Sequence, residues 1–349
     1  MIRKLQKPAK VQPGDTIAAI TLSWGGAGAL PYRYEIGKKR LEDIFGLKVV
    51  ETKHALKDPD WIYNNPKARA DDLMEAFADK NIKGIFAMIG GNESIRLLPY
   101  IDYSIIAQNP KVFMGYSDST VTHLMCYKAG LSSFYGPCIM VDFAENVEMF
   151  PYCIQSIRQV LFGNTESKEI IPNKEGWTTE FLDWFNPENQ NIKRKLQSSL
   201  PWQYIQGKGI VQGHLLGGCL DSFLHINGTS LWPNLDQWQD AVLFIETAER
   251  GMEIDRFIDH LRNLGAQNIL SVLKGILFGR PGGPIHPDQF VLYDQAFIKV
   301  CKEFGRSDLS IVTHIDFGHT DPKFILPYGL QVEIDCDQKR VVFLEKSVL

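Results

Sequence analysis

One serine lies where a strand is expected to turn sharply into a helix. Ser117 stands in residues 114–120, MGYSDST, between the apolar run KVFMG and a helical pattern. Gly115, two residues earlier, permits the tight turn that lifts a hydroxyl to a sheet edge in the nucleophile elbow of hydrolases. The second glycine of the usual elbow is replaced by Ser119. Ser117 is therefore a candidate nucleophile, and helix capping by Ser117 or Asp118 is the alternative interpretation.

A second turn could complete such a site. Gly90 and Gly91 follow the apolar run GIFAMI and precede Asn92, where a helix could begin. In a parallel sheet, the turns that follow neighbouring strands lie at the same edge. The backbone N–H groups of Gly91 and Asp118 are then the candidate donors of an oxyanion hole. A plain glycine turn, with Asn92 as the helix cap, would explain the same residues.

A nucleophilic serine needs a base, and His319 is the candidate among eight histidines. It follows the run SIVTHI and can project into a cleft, whereas His314 within that run is expected to be a hydrogen-bonded core residue. Glu246 is the candidate orienting acid, because a carboxylate directly after the apolar run AVLFI is unusual for core packing. Glu249 is its competitor. A triad of Ser117, Glu246 and His319 would be recognised by its geometry and not by its chain order.

Two other kinds of site compete with this interpretation. His314, Asp316 and His319 form H-x-D-x-x-H, a spacing that zinc could use, but no H-E-x-x-H motif or further ligand accompanies it. Residues 26–31, GAGALP, begin like G-x-G-x-x-G after a strand, but a proline replaces the third glycine and the chain contains no P-loop. We therefore expect no metal and no cofactor.

Strand-like and helix-like patterns alternate through residues 1–150, which predicts an α/β domain with a doubly wound, mainly parallel sheet. Ligands of such sheets bind at the carboxyl ends of the strands. Residues 151–206 are polar and are predicted to connect two domains through an exposed aromatic loop. Residues 207–349 are predicted to form a second α/β domain, rich in strands, that carries the acid and the base. Its clearest helix, residues 253–264, is expected to end before Gly265.

The composition limits the partners that the protein can have. The 349 residues include 41 acidic and 37 basic side chains, a formal net charge of −4, so we expect no nucleic-acid surface. The longest apolar runs have about six residues, against ~20 for a membrane-spanning helix. The first residues contain no apolar signal segment. Six cysteines lie singly, which indicates free thiols in a reducing compartment, and we expect a cytoplasmic protein.

Taken together, these residues resemble a known family, the LD-carboxypeptidases, over nearly the whole chain. The resemblance rests on six stretches: VQPGDTIAAITLS, the GG turn, MGYSDST, HLLGG, LFIETAE and DFGHTDPKFILPYG. It implies a serine peptidase with Ser117 in an N-terminal α/β domain and with Glu246 and His319 in a C-terminal domain. It also implies a cleft between the domains and a homodimer.

Within that family, the chain looks more like the microcin C immunity branch than the murein-tetrapeptide branch. The resemblance is carried by MIGGNES, HINGTSLWP and the tryptophan-containing insertion, which lies within residues 151–206. It implies hydrolysis of an amide or mixed anhydride bond in aminoacyl adenylates and related nucleotides, with murein tetrapeptide cleavage as the alternative. Loop tryptophans of that branch stack on adenine, and Trp177 and Trp184 are the similar positions here. A small packed cluster of loop aromatics is the competing interpretation.

Overall fold

The apolar runs of the sequence form two separate β-sheets in the computed structural model, which describes residues 4–163 and 169–349. Residues 1–3 of the predicted N-terminal domain and 164–168 of the predicted connection lie outside the described residues. In chain order, the strands are β1 (Thr16–Ile20), β2 (Lys48–Glu51), β3 (Ile82–Ala87), β4 (Val112–Gly115), β5 (Phe134–Tyr135), β6 (Gln203–Gln206), β7 (Ile210–Cys219), β8 (Ala241–Glu246), β9 (Gly275–Gly279), β10 (Ser310–Ile315), β11 (Leu326–Pro327), β12 (Gln331–Asp335) and β13 (Arg340–Phe343).

Helices cover the sheets and connect their parallel strands. They are α1 (Gly26–Ala29), α2 (Pro31–Phe45), α3 (Pro59–Asn64), α4 (Pro66–Ala78), α5 (Tyr103–Gln108), α6 (Thr120–Ala129), α7 (Pro151–Leu161), α8 (Leu220–Ile226), α9 (Leu235–Trp238), α10 (Ile254–Ala266), α11 (Ile269–Val272) and α12 (Phe290–Glu303). Proline, whose fixed φ suits a first helical turn, begins α2, α3, α4 and α7. None of the helices in the described ranges is long and apolar enough to cross a membrane.

The first sheet has the order β11-β5-β4-β3-β1-β2, in which β1 to β5 run parallel to one another and β11 pairs antiparallel with β5. The second sheet has the order β13-β12-β7-β8-β9-β10-β6, with a parallel centre from β7 to β10 and antiparallel strands outside it. This arrangement confirms the prediction of a doubly wound, mainly parallel sheet followed by a strand-rich α/β unit.

The predicted helix of the second unit continues beyond its expected end. Helix α10 buries Phe257 and Leu261, as the apolar spacing predicts, but it runs through Gly265 to Ala266. A Cβ on Gly265 would lie 2.5 Å from the Phe304 ring. This glycine therefore serves the close approach of a ring and does not terminate the helix.

The two units do not correspond to two continuous segments of the chain. The predicted connection contains α7, and it ends in β6, which is an edge strand of the second sheet. Between β10 and β11 the chain crosses back, so that β11 pairs with β5 in the first sheet. The C-terminus also returns to the first unit, where the Leu349 N–H donates to the Pro8 carbonyl (2.9 Å) and Glu345 pairs with Lys7. The predicted domain 207–349 thus contributes segments to both units.

Candidate active site

The chain bends sharply at Ser117, directly after β4. Its φ of 62° lies in the left-handed region, which costs a non-glycine residue about 1–3 kcal/mol. Hydrogen bonds hold it there from both sides. The Ser117 N–H donates to the Tyr135 hydroxyl (3.1 Å), and its carbonyl accepts from the hydroxyls of Thr120 (2.7 Å) and Ser222 (3.3 Å). A short 3₁₀ turn then leads into α6, which is the strand–turn–helix geometry of a nucleophile elbow.

The Gly90–Gly91 turn lies against this elbow, as expected for neighbouring strands of a parallel sheet. A Cβ on Gly90 would lie 2.9 Å from the Ser117 Cβ and 3.4 Å from the Asp118 nitrogen, so only glycine fits without displacement. Within the described ranges, the backbone N–H groups of Gly91 and Asp118 make no hydrogen bond. Their role as an oxyanion hole stays a prediction, and the two donors belong to adjacent turns.

The Asp118 side chain fixes the second turn to the first. It is fully buried, and its Oδ2 accepts hydrogen bonds from the backbone N–H groups of Glu93 (2.9 Å) and Ser94 (2.8 Å). The capping interpretations are wrong, because the side chains of Ser117, Asp118 and Asn92 cap none of the helix starts that follow them. The carboxylate instead holds the two turns together.

Glu246 and His319 meet at the carboxyl end of β8. Oε2 of Glu246 accepts a hydrogen bond from Nδ1 of His319 at 2.7 Å, and Oε1 accepts one from the Tyr135 hydroxyl at 2.5 Å. Gly318, with φ of 90°, allows this approach, since a Cβ there would lie 2.5 Å from the Glu246 Cγ. Because Nδ1 is engaged, Nε2 is the ring nitrogen left to accept a proton.

Burial and charge oppose each other at this pair. Burial alone raises the pKa of Glu246, but the charge and hydrogen bond of His319, together with the Tyr135 hydrogen bond, outweigh it and lower the pKa. Burial alone lowers the pKa of His319, but the charge and hydrogen bond of Glu246, with the charge of Glu249, outweigh it and raise the pKa. The carboxylate is therefore ionised, and the imidazole takes up a proton more readily than a free histidine.

The Nε2 side of His319 has two neighbours. Oε2 of Glu249 lies 3.4 Å from Nε2, and 66% of the Glu249 side chain is exposed. The Tyr116 ring meets the imidazole edge-on, with 5.0 Å between centroids, and Tyr116 directly precedes Ser117. Glu246 therefore contacts Nδ1 of the imidazole, and its competitor Glu249 lies at the opposite nitrogen.

The residues of the alternative H-x-D-x-x-H site have separate partners. Nε2 of His314 lies 3.2 Å from Asp294. The Asp316 carboxylate is buried, pairs with Arg280 and accepts from the Trp202 indole N–H (2.7 Å). These side chains do not converge with the imidazole of the acid–base pair on a common point.

Glu246 and His319, together with the neighbouring Cys219, have atoms that could bind a metal. Among the described residues, Cys219, Glu246 and His319 have such atoms within 4.8 Å of one another. Both carboxylate oxygens already accept hydrogen bonds, and burial raises the pKa of the thiol well above its ordinary value. The absence of a metal cofactor stays a prediction.

Trp177 does not present a free ring face. Its side chain is 1% exposed, and its ring packs against Phe290 (5.5 Å between centroids) and beneath the Arg280 guanidinium (5.8 Å). Backbone hydrogen bonds with Gln197 fix the segment further. The expectation that Trp177 stacks on a base is corrected, because the insertion folds this ring into the protein interior. The packed-aromatic interpretation applies to it.

Trp184 remains as the aromatic candidate of the insertion. It is partly buried, with the Arg33 guanidinium 4.0 Å from its ring centroid and the Phe181 ring 5.5 Å away. The Tyr32 hydroxyl donates to its carbonyl (2.5 Å). The insertion therefore packs on the first unit and keeps part of this ring exposed.

A buried network of charged side chains connects the insertion to the segment that follows His319. The Lys323 ammonium bonds to the carboxylates of Asp142 (2.5 Å) and Asp321, and it lies 4.4 Å from the Tyr116 ring centroid. Asp321 also accepts a hydrogen bond from Arg194 of the insertion (2.9 Å). Because an unpaired buried charge costs several kcal/mol, these contacts hold the insertion and the base segment together.

Sequence reasoning missed Tyr135 and Lys323. Tyr135 lies in the run LSSFYGPC, where a tyrosine is an ordinary strand residue, and Lys323 lies close to the apolar run FILPY. The sequence contained one indication for each of these two residues. A phenol at the carboxyl end of a strand, directly before a glycine, is placed where ligands bind, and a buried lysine requires carboxylates around it.

Two family models match the chain. Residues 17–136 match the LD-carboxypeptidase N-terminal domain, and residues 212–334 match the LD-carboxypeptidase C-terminal domain. Among known proteins, the Microcin C7 self-immunity protein MccF of Escherichia coli is 27% identical over 347 residues, which are 97% of this chain and 95% of that protein. The similarity therefore extends across both units.

Solved structures share the fold. An MccF-like protein from Streptococcus pneumoniae in complex with AMP has a TM-score of 0.84 and 30% identity, over 95% of this chain and 98% of that one. MccF in complex with aspartyl sulfamoyl adenosine has a TM-score of 0.84 and 25% identity, over 99% and 100%. The two matched domains together cover more than half of the chain. The chain thus belongs to the LD-carboxypeptidase family and is a hydrolase of the peptidase class.

Proposed function

We propose that this protein is a serine hydrolase in which Ser117 is the nucleophile, His319 the general base and Glu246 the acid that orients it. The observation that carries the proposal is the 2.7 Å hydrogen bond between Glu246 and Nδ1 of His319, beside a serine with φ of 62°. The bond fixes the tautomer whose Nε2 lacks a proton, and it stabilises the imidazolium that forms when the serine is deprotonated.

The reaction then proceeds in two halves. Nε2 of His319 takes the Ser117 hydroxyl proton as the oxygen attacks the substrate carbonyl, and the developing oxyanion accepts hydrogen bonds from the Gly91 and Asp118 N–H groups. The imidazolium returns the proton to the leaving group. Water, activated by the same nitrogen, hydrolyses the acyl-enzyme and releases the serine.

The proposed substrates are aminoacyl nucleotides, cleaved at an amide or acyl-adenylate bond. Support comes from the similar structures of an MccF-like protein with AMP and of MccF with aspartyl sulfamoyl adenosine, and from Trp184, which is partly exposed. A flat base stacked on an aromatic ring contributes about 1–3 kcal/mol. A second candidate is murein tetrapeptide cleavage, supported by the LD-carboxypeptidase family models and by the similarity to a probable murein peptide carboxypeptidase of Bacillus subtilis. A homodimer in the cytoplasm, without nucleic-acid or membrane partners, completes the proposal.

A substrate panel on the wild type and on Ser117→Ala tests this function. The panel contains an L,D-linked muropeptide and an aminoacyl adenylate analogue. We expect the wild type to turn over the analogue with the higher kcat/KM, and Ser117→Ala to lose several orders of magnitude in kcat. More than a tenth of wild-type turnover in Ser117→Ala would show that the nucleophile is misassigned. Preference for the muropeptide would select the second candidate.

A further inference from the structure

Tyr135 lies at the contact between the two sheets. It is the last residue of β5, where it pairs with Gly115 of β4 on one side and with Leu326 of β11 on the other. Its side chain is 1% exposed, and its ring packs against Phe244 of β8, with 5.5 Å between centroids. The register of the first sheet thus directs this ring toward the second sheet.

A single hydroxyl group at this position contacts both halves of the proposed site. The Tyr135 oxygen lies 2.5 Å from Oε1 of Glu246 and 3.1 Å from the Ser117 nitrogen. An ionised carboxylate has no proton to give, so the phenol proton is donated to Glu246. A phenol lone pair then accepts the hydrogen bond from the Ser117 N–H, so the hydroxyl donates to one group and accepts from the other.

The hydroxyl fixes the orientation of two groups, the Ser117 backbone and the Glu246 carboxylate. Ser117 has a strained backbone, and such a conformation persists only where the surroundings over-determine it. The contacts of Thr120 and Ser222 act on its carbonyl, whereas Tyr135 supplies the contact on its N–H. Glu246 uses its other oxygen for His319, so the phenol sets the rotation of the carboxylate that orients the base.

We infer that Tyr135 is a positioning residue, whose hydroxyl couples the geometry of the nucleophile elbow to that of the acid–base pair across the two sheets. The inference rests on the proposed function, since it assigns no substrate contact to Tyr135. Its action is on alignment, and a misplacement of reacting groups by about 1 Å can cost 10²-fold in rate. Its loss therefore lowers kcat and leaves KM nearly unchanged.

Tyr135→Phe, compared with Tyr328→Phe, tests the inference. Tyr328 is the matched control, because it is also fully buried, its ring centroid lies 5.0 Å from that of the same Phe244, and its hydroxyl donates to the Gly217 carbonyl (2.6 Å) and not to a residue of the proposed triad. Both variants lose one buried hydroxyl, so we expect similar decreases in Tm. We expect kcat to fall about 10–100-fold in Tyr135→Phe, with KM within threefold, and to stay within twofold in Tyr328→Phe.

A fluorophosphonate probe that labels the active serine supplies the second measurement. The final extent of labelling gives the number of active sites that can react. The kcat of each variant can then be expressed per active site, even where part of the protein is misfolded. Its labelling rate should fall in Tyr135→Phe in parallel with kcat. Equal kcat in the two variants, or a raised KM with unchanged kcat, would overturn the inference. Ser117→Ala separates the two proposals: an inactive Ser117→Ala beside a fully active Tyr135→Phe removes this inference alone, whereas an active Ser117→Ala removes both.

Discussion

Replacement of Glu249 tests the electrostatics around the proposed base. Its carboxylate lies 3.4 Å from Nε2 of His319, and its charge is among the causes that raise the His319 pKa. Two charges at this separation interact by about 1 kcal/mol in a water-like dielectric, and salt screens part of that energy. Because about 1.4 kcal/mol corresponds to a factor of ten, we expect Glu249→Gln to lower the His319 pKa and to change kcat/KM at acid pH about threefold.

The direction in which the pH profile should shift follows from the protonation state in which His319 acts as a base. Neutral His319 accepts the serine proton, so kcat/KM is lost as the pH falls through the raised pKa of the free enzyme. Glu249→Gln lowers that pKa, and the acid limb of the profile should move to lower pH. At a pH below the wild-type pKa, the variant should therefore be the more active enzyme.

The assay is kcat/KM against pH at two ionic strengths. Glu75→Gln is the control, since Glu75 is an exposed residue of α4 and the substitution removes the same charge. The shift should be present in Glu249→Gln and absent in Glu75→Gln, and high salt should diminish it. An acid limb that stays in place, or moves to higher pH, would refute this account of the base.

Four further substitutions test other parts of the structure. Glu246→Gln should lower kcat by about three orders of magnitude or more with little change in KM, measured by steady-state kinetics, since an amide stabilises the imidazolium poorly; activity near wild type would contradict this. Gly90→Ala places a Cβ 2.9 Å from the Ser117 Cβ and should lower kcat at least tenfold, with a decrease in Tm from the overpacking. An unaltered kcat would show that the turn moves without disturbing Ser117. Trp184→Ala should raise KM for an aminoacyl adenylate about tenfold and spare a muropeptide. Trp177→Ala should instead lower the free energy of unfolding by about 3–5 kcal/mol in denaturant titrations, with an unchanged KM if it folds.

Much of the fold was predictable, because local patterns determine it. Apolar runs followed by helical spacing predicted the parallel strands of the first sheet and a strand-rich second unit, and most of the helix Ile254–Ala266 was recognised by its apolar stripe. The partners of β6 and β11 were not predictable, since pairing of a two- or four-residue strand depends on contacts far away in the chain. Gly265 was misinterpreted for the same reason, because the Phe304 ring that it accommodates lies almost 40 residues later.

The candidate site shows the same division. Ser117, Glu246 and His319 were found because each follows an apolar strand, where parallel sheets collect polar groups. Trp177 and Trp184 could not be distinguished, because the polar insertion has no periodicity from which burial could be inferred. Tyr135 was missed, since its importance lies in which two atoms its hydroxyl reaches, and only the three-dimensional arrangement specifies them.

The crossing of the chain between β10 and β11 has a consequence for the order in which activity is acquired. His319 lies on this crossing, so its position requires both sheets to be present, and about 200 residues separate it from Ser117. Contacts of such high sequence separation form late and slowly during folding. A chain in which the two sheets have not yet joined therefore lacks the contact between His319 and Glu246. If His319 is the base, such a chain should be inactive, and turnover per molecule should report the fraction of fully folded protein.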